Sequence, residues 1–293
     1  MTNWQDAQTR ILFYRIDTTM RRIILIILTA AATLPALAQD EYSQLIDKAM
    51  EMTRMDSLVQ AEELYRKALS LDPGNARNAL LFSNLGTVLS RQGKVKEAIE
   101  AYSMAINITP YSTAMLLNRA ALYLECNMPD KAYTDYCRVI DLLPEDTEAH
   151  LMRAYINMRR RQYMEARNDY NVVLTREPGH KTARIGIAML DEKEGRYQAA
   201  TEGLRLLILD YPRDPSLLKM RANIYITQNY LELALLDLNE ASALDHNDPD
   251  IFLTMGDVCL RLKKKREARA AYERAIALGI ARQEIADQLK KCK

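Results

Sequence analysis

The sequence predicts an all-α repeat protein built from paired helices, and three observations predict it. An alanine recurs every 34 residues, at Ala98, Ala132, Ala166, Ala200, Ala234 and Ala268. Each period holds two stretches of about 14 residues whose apolar positions follow helical spacing. The 293-residue composition is poor in Gly (9), Pro (9) and Phe (3), so little in it interrupts long helices. With 27% charged and 48% hydrophobic residues the chain is neither disordered nor collagenous. A net charge of +1 gives no whole-chain reason to expect nucleic acid as a partner.

Residues 1–38 read as an upstream extension plus an export signal. Arg21-Arg22 precede an apolar run from Ile23 to Leu34, then Pro35 and Ala36-Leu37-Ala38. That is a basic start, an apolar centre and a small-residue cleavage site. The expected start is Met20 and the expected cleavage falls after Ala38. The apolar run is short of the roughly 20 residues that cross hydrocarbon. Removing residues 1–38 takes away four basic and two acidic residues and leaves a net charge of −1. The expected location is therefore outside the cytoplasm, and the periplasm if the host is a diderm bacterium.

Residues 39–293 form the repeat array. Four residues after each alanine of the ladder stands Tyr102, Tyr136, Tyr170, Leu204, Leu238 or Tyr272. Twelve residues before it stands Gly86, Ala120, Ala154, Ala188, Ala222 or Gly256. Small residues let two helices approach, and the large residue one turn on fills the space beside them. An earlier copy, with Ala61, Tyr65, Ala68 and Pro73, sits three residues out of register. Pro110, Pro144, Pro178 and Pro212 close successive units. Gly93, Asn127 and Gly195 fall between the two stretches of their units, where a tight turn uses unusual backbone.

The run Leu85-Gly86 through Ala98, Tyr102 and Ala105 to Pro110 resembles the tetratricopeptide repeat (TPR). The resemblance covers residues 42–282. It implies a right-handed superhelical solenoid of seven helix pairs, at 42–75, 79–112, 113–146, 147–180, 181–214, 215–248 and 249–282. Residues 283–293 then read as a capping helix, with Ile285 and Leu289 facing the last pair and Lys290-Lys291 exposed. The chain departs from the family where its early aromatic, Phe82 and Phe252, is replaced by His150 and Arg184.

In TPR solenoids the first helix of each pair lines a groove that binds a partner. Carried over by position, the groove residues are Leu117, Leu124, Leu151, Tyr155, Met158, Ile185, Met189, Lys219 and Asn223. The competing reading is that several of them pack between neighbouring first helices. Lys219 and Asn223 match the first two positions of the family's carboxylate clamp, but Thr254 stands where the clamp needs Asn, so the clamp is rejected. The turns inside the pairs are basic and the turns between pairs acidic, as at Arg159-Arg160-Arg161 and at Asp245, Asp248 and Asp250. Helix-end preferences explain this pattern; a ridge for a membrane or an acidic surface is the alternative.

No phosphate-binding, dinucleotide-binding, zinc-protease or serine-hydrolase string occurs. The three His are far apart and are read as turn or surface residues rather than catalysts. Cys126, Cys137, Cys259 and Cys292 form no C-x-x-C, so no metal or cofactor is expected, and the thiols are read as free. The expected function is a non-enzymatic scaffold in the cell envelope that binds a protein or peptide partner in its groove. The alternatives are a self-assembling structural protein and a small-ligand binder or enzyme accessory subunit.

Overall fold

The computed structural model describes residues 41–292, so the export signal and the proposed start at Met20 lie outside the described residues. Every described element is a helix or a turn. Helix α1 covers residues 41–54, followed by α2 Leu58–Leu71, α3 Asn78–Arg91, α4 Val95–Ile108, α5 Thr113–Glu125 and α6 Pro129–Leu142. Then come α7 Thr147–Arg159, α8 Tyr163–Arg176, α9 Lys181–Lys193, α10 Tyr197–Asp210, α11 Pro215–Thr227 and α12 Leu231–Leu244. The last three are α13 Pro249–Arg261, α14 Lys265–Ala277 and the short α15 Ala286–Lys291. Two compact units divide at Arg138 and Val139. Within each unit the two helices of a pair pack on one another, and each pair packs on the next. The fold is thus all-α, a stack of antiparallel helix pairs.

One turn is repeated inside every pair. Asp56, Gly93, Asn127, Arg161, Gly195, Asn229 and Lys263 all have φ between 54° and 76°. Around each, the chain closes a C-terminal helix cap. At the seventh pair the Lys263 amide donates to the Leu260 carbonyl at 3.0 Å and the Lys264 amide to Cys259 at 2.9 Å. Gly93, Asn127 and Gly195 occupy this position as the sequence suggests, and the same register forces Arg161 and Lys263 into it. Between pairs, Asp146, His180, Asp214 and Asp248 cap the following helix by accepting a backbone N–H.

The alanine ladder is the seam of each pair. Ala98, Ala132, Ala166, Ala200, Ala234 and Ala268 are fully buried, and the large residues that follow them are buried. At Gly86 and Gly256 a side chain would meet the ring of Tyr102 or Tyr272, so close approach explains both glycines. Ile285 is buried and Leu289 half-buried against the last pair's core, while Lys290 and Lys291 are exposed.

Three pairs carry an element the sequence reading missed. Arg119 forms a double hydrogen bond with Asp135, Arg153 with Asp169 and Arg221 with Asp237, at 2.7–3.0 Å. These residues recur at multiples of 34. Each arginine comes from the first helix and each aspartate from the second, and the aspartates are buried.

His150 corrects the reading of the histidines as turn or surface residues. His180 caps a helix and His246 is exposed, but His150 is only 4% exposed. Its Nδ1 lies 2.8 Å from Asp169 and its Nε2 2.9 Å from the Pro144 carbonyl. A polar ring can replace the family's aromatic there because both nitrogens meet partners.

Candidate binding surface

The nine groove positions divide between the units. Leu117 and Leu124 lie half-buried on α5 in the first unit. In the second unit Leu151, Met158 and Ile185 are half-buried and pack against the cores of their pairs, so they build the surface more than they offer it. Tyr155 is 47% and Met189 38% exposed, on α7 and α9. The Arg159 guanidinium sits 5.9 Å from the centre of the Tyr155 ring, a cation–π contact that orients the ring.

Lys219 is committed elsewhere. Its Nζ lies 2.5 Å from Asp248 Oδ2, and Asp248 also accepts the Asp250 amide at 2.9 Å. Burial alone would push the Asp248 carboxyl up; the bond from Lys219 and the backbone N–H groups hold it below its ordinary value. The lysine that matches the carboxylate clamp thus ties two pairs together, a second reason to set the clamp aside.

Asn223 lines a cavity of about 900 Å³ between the first helices of the last two pairs and the cap. Ile226 of α11 stands beside it, and α13 contributes Thr254, Asp257, Leu260 and Arg261. The far wall is the cap, with Glu284, Asp287, Gln288 and Lys291. The cap's share was not legible in the sequence, because it depends on how residues beyond the last repeat fold back. Thr254, Asp257 and Arg261 are spaced i, i+3 and i+7, which puts them on one stripe of α13.

The polar groups of this cavity are held in place. The Tyr272 hydroxyl, reaching from α14, donates to Asp257 Oδ1 at 2.6 Å. Burial, with the bond to Asp257, pushes that hydroxyl's pKa up, so it stays a donor. Arg261 donates to Asn229 Oδ1 at 2.8 Å across to the preceding pair. The result is an apolar floor of Ile226, Val258 and Leu260 under fixed donors, acceptors and charges of both signs. Such a lining suits a polypeptide segment, whose backbone needs both donors and acceptors and whose side chains need apolar ground. Among the described residues no His, Cys, Asp and Glu group could hold a metal ion, and no helix is long and apolar enough to cross a membrane.

Helix pairs of this length, joined by one repeated turn and stacked through an alanine seam, define an α-solenoid interaction module. Two family models, each described as tetratricopeptide repeat, match residues 57–113 and 249–278 respectively. The chain is a tetratricopeptide-repeat protein. A solved tetratricopeptide repeat protein from Parabacteroides merdae is similar at 29% identity and a TM-score of 0.69, over 86% of this chain and 99% of that one. The type IV pilus biogenesis factor PilW shares the fold at 18% identity and a TM-score of 0.60, over 72% of this chain and 96% of that one. Rat (Rattus norvegicus) DnaJ homolog subfamily C member 3 is 25% identical over 62% of this chain and 41% of its own length. The chain therefore spans about two fifths of that curated relative.

Proposed function

We propose that this protein is a non-catalytic adaptor that holds an extended segment of a partner protein against the first helices of its C-terminal pairs. The observation that carries the proposal is the cavity of about 900 Å³ between α11, α13 and the cap, with its fixed polar groups over an apolar floor. The family supports protein binding as the general activity. Tyr155 and Met189 extend the accessible apolar ground on α7 and α9. The test is affinity capture from the native host by wild type and by the Tyr155→Ala/Met189→Ala variant. Loss of a dominant partner with the variant supports a first-helix interface that reaches α7 and α9, whereas undiminished capture removes that extension.

The setting we propose is the cell envelope, reached by export and cleavage after Ala38, from the basic and apolar pattern of residues 20–38. Amino-terminal sequencing of the protein from a diderm host, expressed from Met20, should read Gln39 first. An intact Met20 terminus in the cytosolic fraction would overturn the export proposal.

A further inference from the structure

Helix α13 shows a second stripe to the opposite side of the last pair. Phe252, Met255 and Cys259, again spaced i, i+3 and i+7, line an apolar pocket of about 340 Å³. Leu235 and Asn239 of α12 and Glu267, Ala270, Ala271 and Arg274 of α14 complete it. The pocket lies away from the cavity described above, on the side where the second helices face outward.

The repeats themselves explain why a pocket exists here. Met255 and Ala271 occupy the two positions that hold Arg119 and Asp135, Arg153 and Asp169, and Arg221 and Asp237 in the third, fourth and sixth pairs. In those pairs the doubly bonded ion pair takes up the space. In the second pair the positions hold Leu85 and Ala101, and a pocket of about 190 Å³ stands at the same register, lined also by Phe82, Leu89, Glu97 and Met104. There Arg66 bridges the rim to Glu97 at 2.7 Å. In the last pair Asn239 replaces Arg66, Ala270 replaces Glu100 and Arg274 replaces Met104. The bridge is absent at Asn239, and the last pair's pocket is the larger one.

The rim is positive. Arg274 stacks on Phe252 at 5.6 Å and donates to the His246 carbonyl, which fixes its guanidinium at the mouth. Lys263, Lys264 and Arg266 are exposed on the adjoining turn and the first turn of α14. Of the acids on α14, Glu273 is paired with Arg282 at 2.6 Å and Glu267 lies 3.7 Å from Lys264. We propose that this pocket is a second docking site, which takes one bulky apolar side chain from an acidic amphipathic segment of a partner protein. The side chain fills the space that an ion pair fills in other repeats, and the flanking carboxylates meet the cationic rim.

The test uses the full chain and a fluorescein-labelled amphipathic helical peptide, with glutamates on its polar face and phenylalanine and leucine on its apolar face. The decisive variant is Asn239→Arg. It adds a positive charge yet can bridge to Glu267 as Arg66 does to Glu97, which closes the mouth. Fluorescence anisotropy should show at least roughly tenfold weaker binding by Asn239→Arg and by Arg274→Glu, and weakening of wild-type binding by salt. Equal or tighter binding by Asn239→Arg would reduce the site to a charged patch and overturn the proposal. So would no binding by wild type, or equal binding of a peptide with lysines in place of the glutamates. Wild-type self-association that Asn239→Arg abolishes would assign the pocket to a second copy instead.

Discussion

Lys263 and Arg161 carry side chains where the backbone wants none. Both sit in the left-handed region, at φ 59° and 60°, in the turn that Gly93 and Gly195 occupy elsewhere. That conformation costs a residue with a Cβ roughly 1–2 kcal/mol, partly offset by glycine's greater unfolded-state freedom. Lys263→Gly and Arg161→Gly should each stabilise the protein by about 0.5–1 kcal/mol, read as a rise in urea midpoint with an unchanged slope. Gly256→Ala should do the opposite, because its methyl would run into the Tyr272 ring; thermal unfolding should show a clear loss. The turn position was legible from Gly93, Asn127 and Gly195. Its occupancy by Arg161 and Lys263 was legible only by trusting the 34-residue register over residue preference. His150 was misread for a related reason: composition calls a histidine polar, whereas its register places it among core aromatics.

At the scale of elements, helix pairs are held by two interchangeable devices. The third, fourth and sixth pairs use the buried Arg–Asp pair, and the second and seventh use Leu or Met over Ala. Arg221→Ala would leave Asp237, only 5% exposed, without its partner. A loss of about 3–5 kcal/mol is expected in denaturant unfolding. The double variant Arg221→Met/Asp237→Ala, which copies the seventh pair, should recover most of that loss. The joints between pairs respond to pH. Asp214 and Asp248 are buried enough to be pushed up, but lysine partners and backbone donors hold both below the ordinary carboxylate value. A lowered folded-state pKa gives stability that is complete above the unfolded value near 4 and lost as pH falls through the folded one. Asp248→Asn should therefore lower stability at pH 7 and flatten its fall below pH 4, as followed by circular dichroism. That each period holds two helices of about 14 residues was legible because apolar spacing and breakers agree. The ion pairs were overlooked because charge was read only at helix ends, although their recurrence was already present in the sequence.

On the scale of the whole molecule, the proposed binding face is formed by the first helices of the C-terminal pairs and their cap. Of the nine groove residues read from the sequence, Asn223 lines the main cavity, Tyr155 and Met189 are exposed, and Lys219 is spent on Asp248. The register gave which face each side chain occupies, but whether a half-buried leucine packs or presents itself depends on its neighbours. The most direct measurement is affinity capture from the native host with an Asn223→Ala/Arg261→Glu variant beside wild type, each checked for equal thermal stability. One dominant partner protein should be captured by wild type and lost with the variant. The same partner retained at equal yield by an equally stable variant would contradict the proposed binding face.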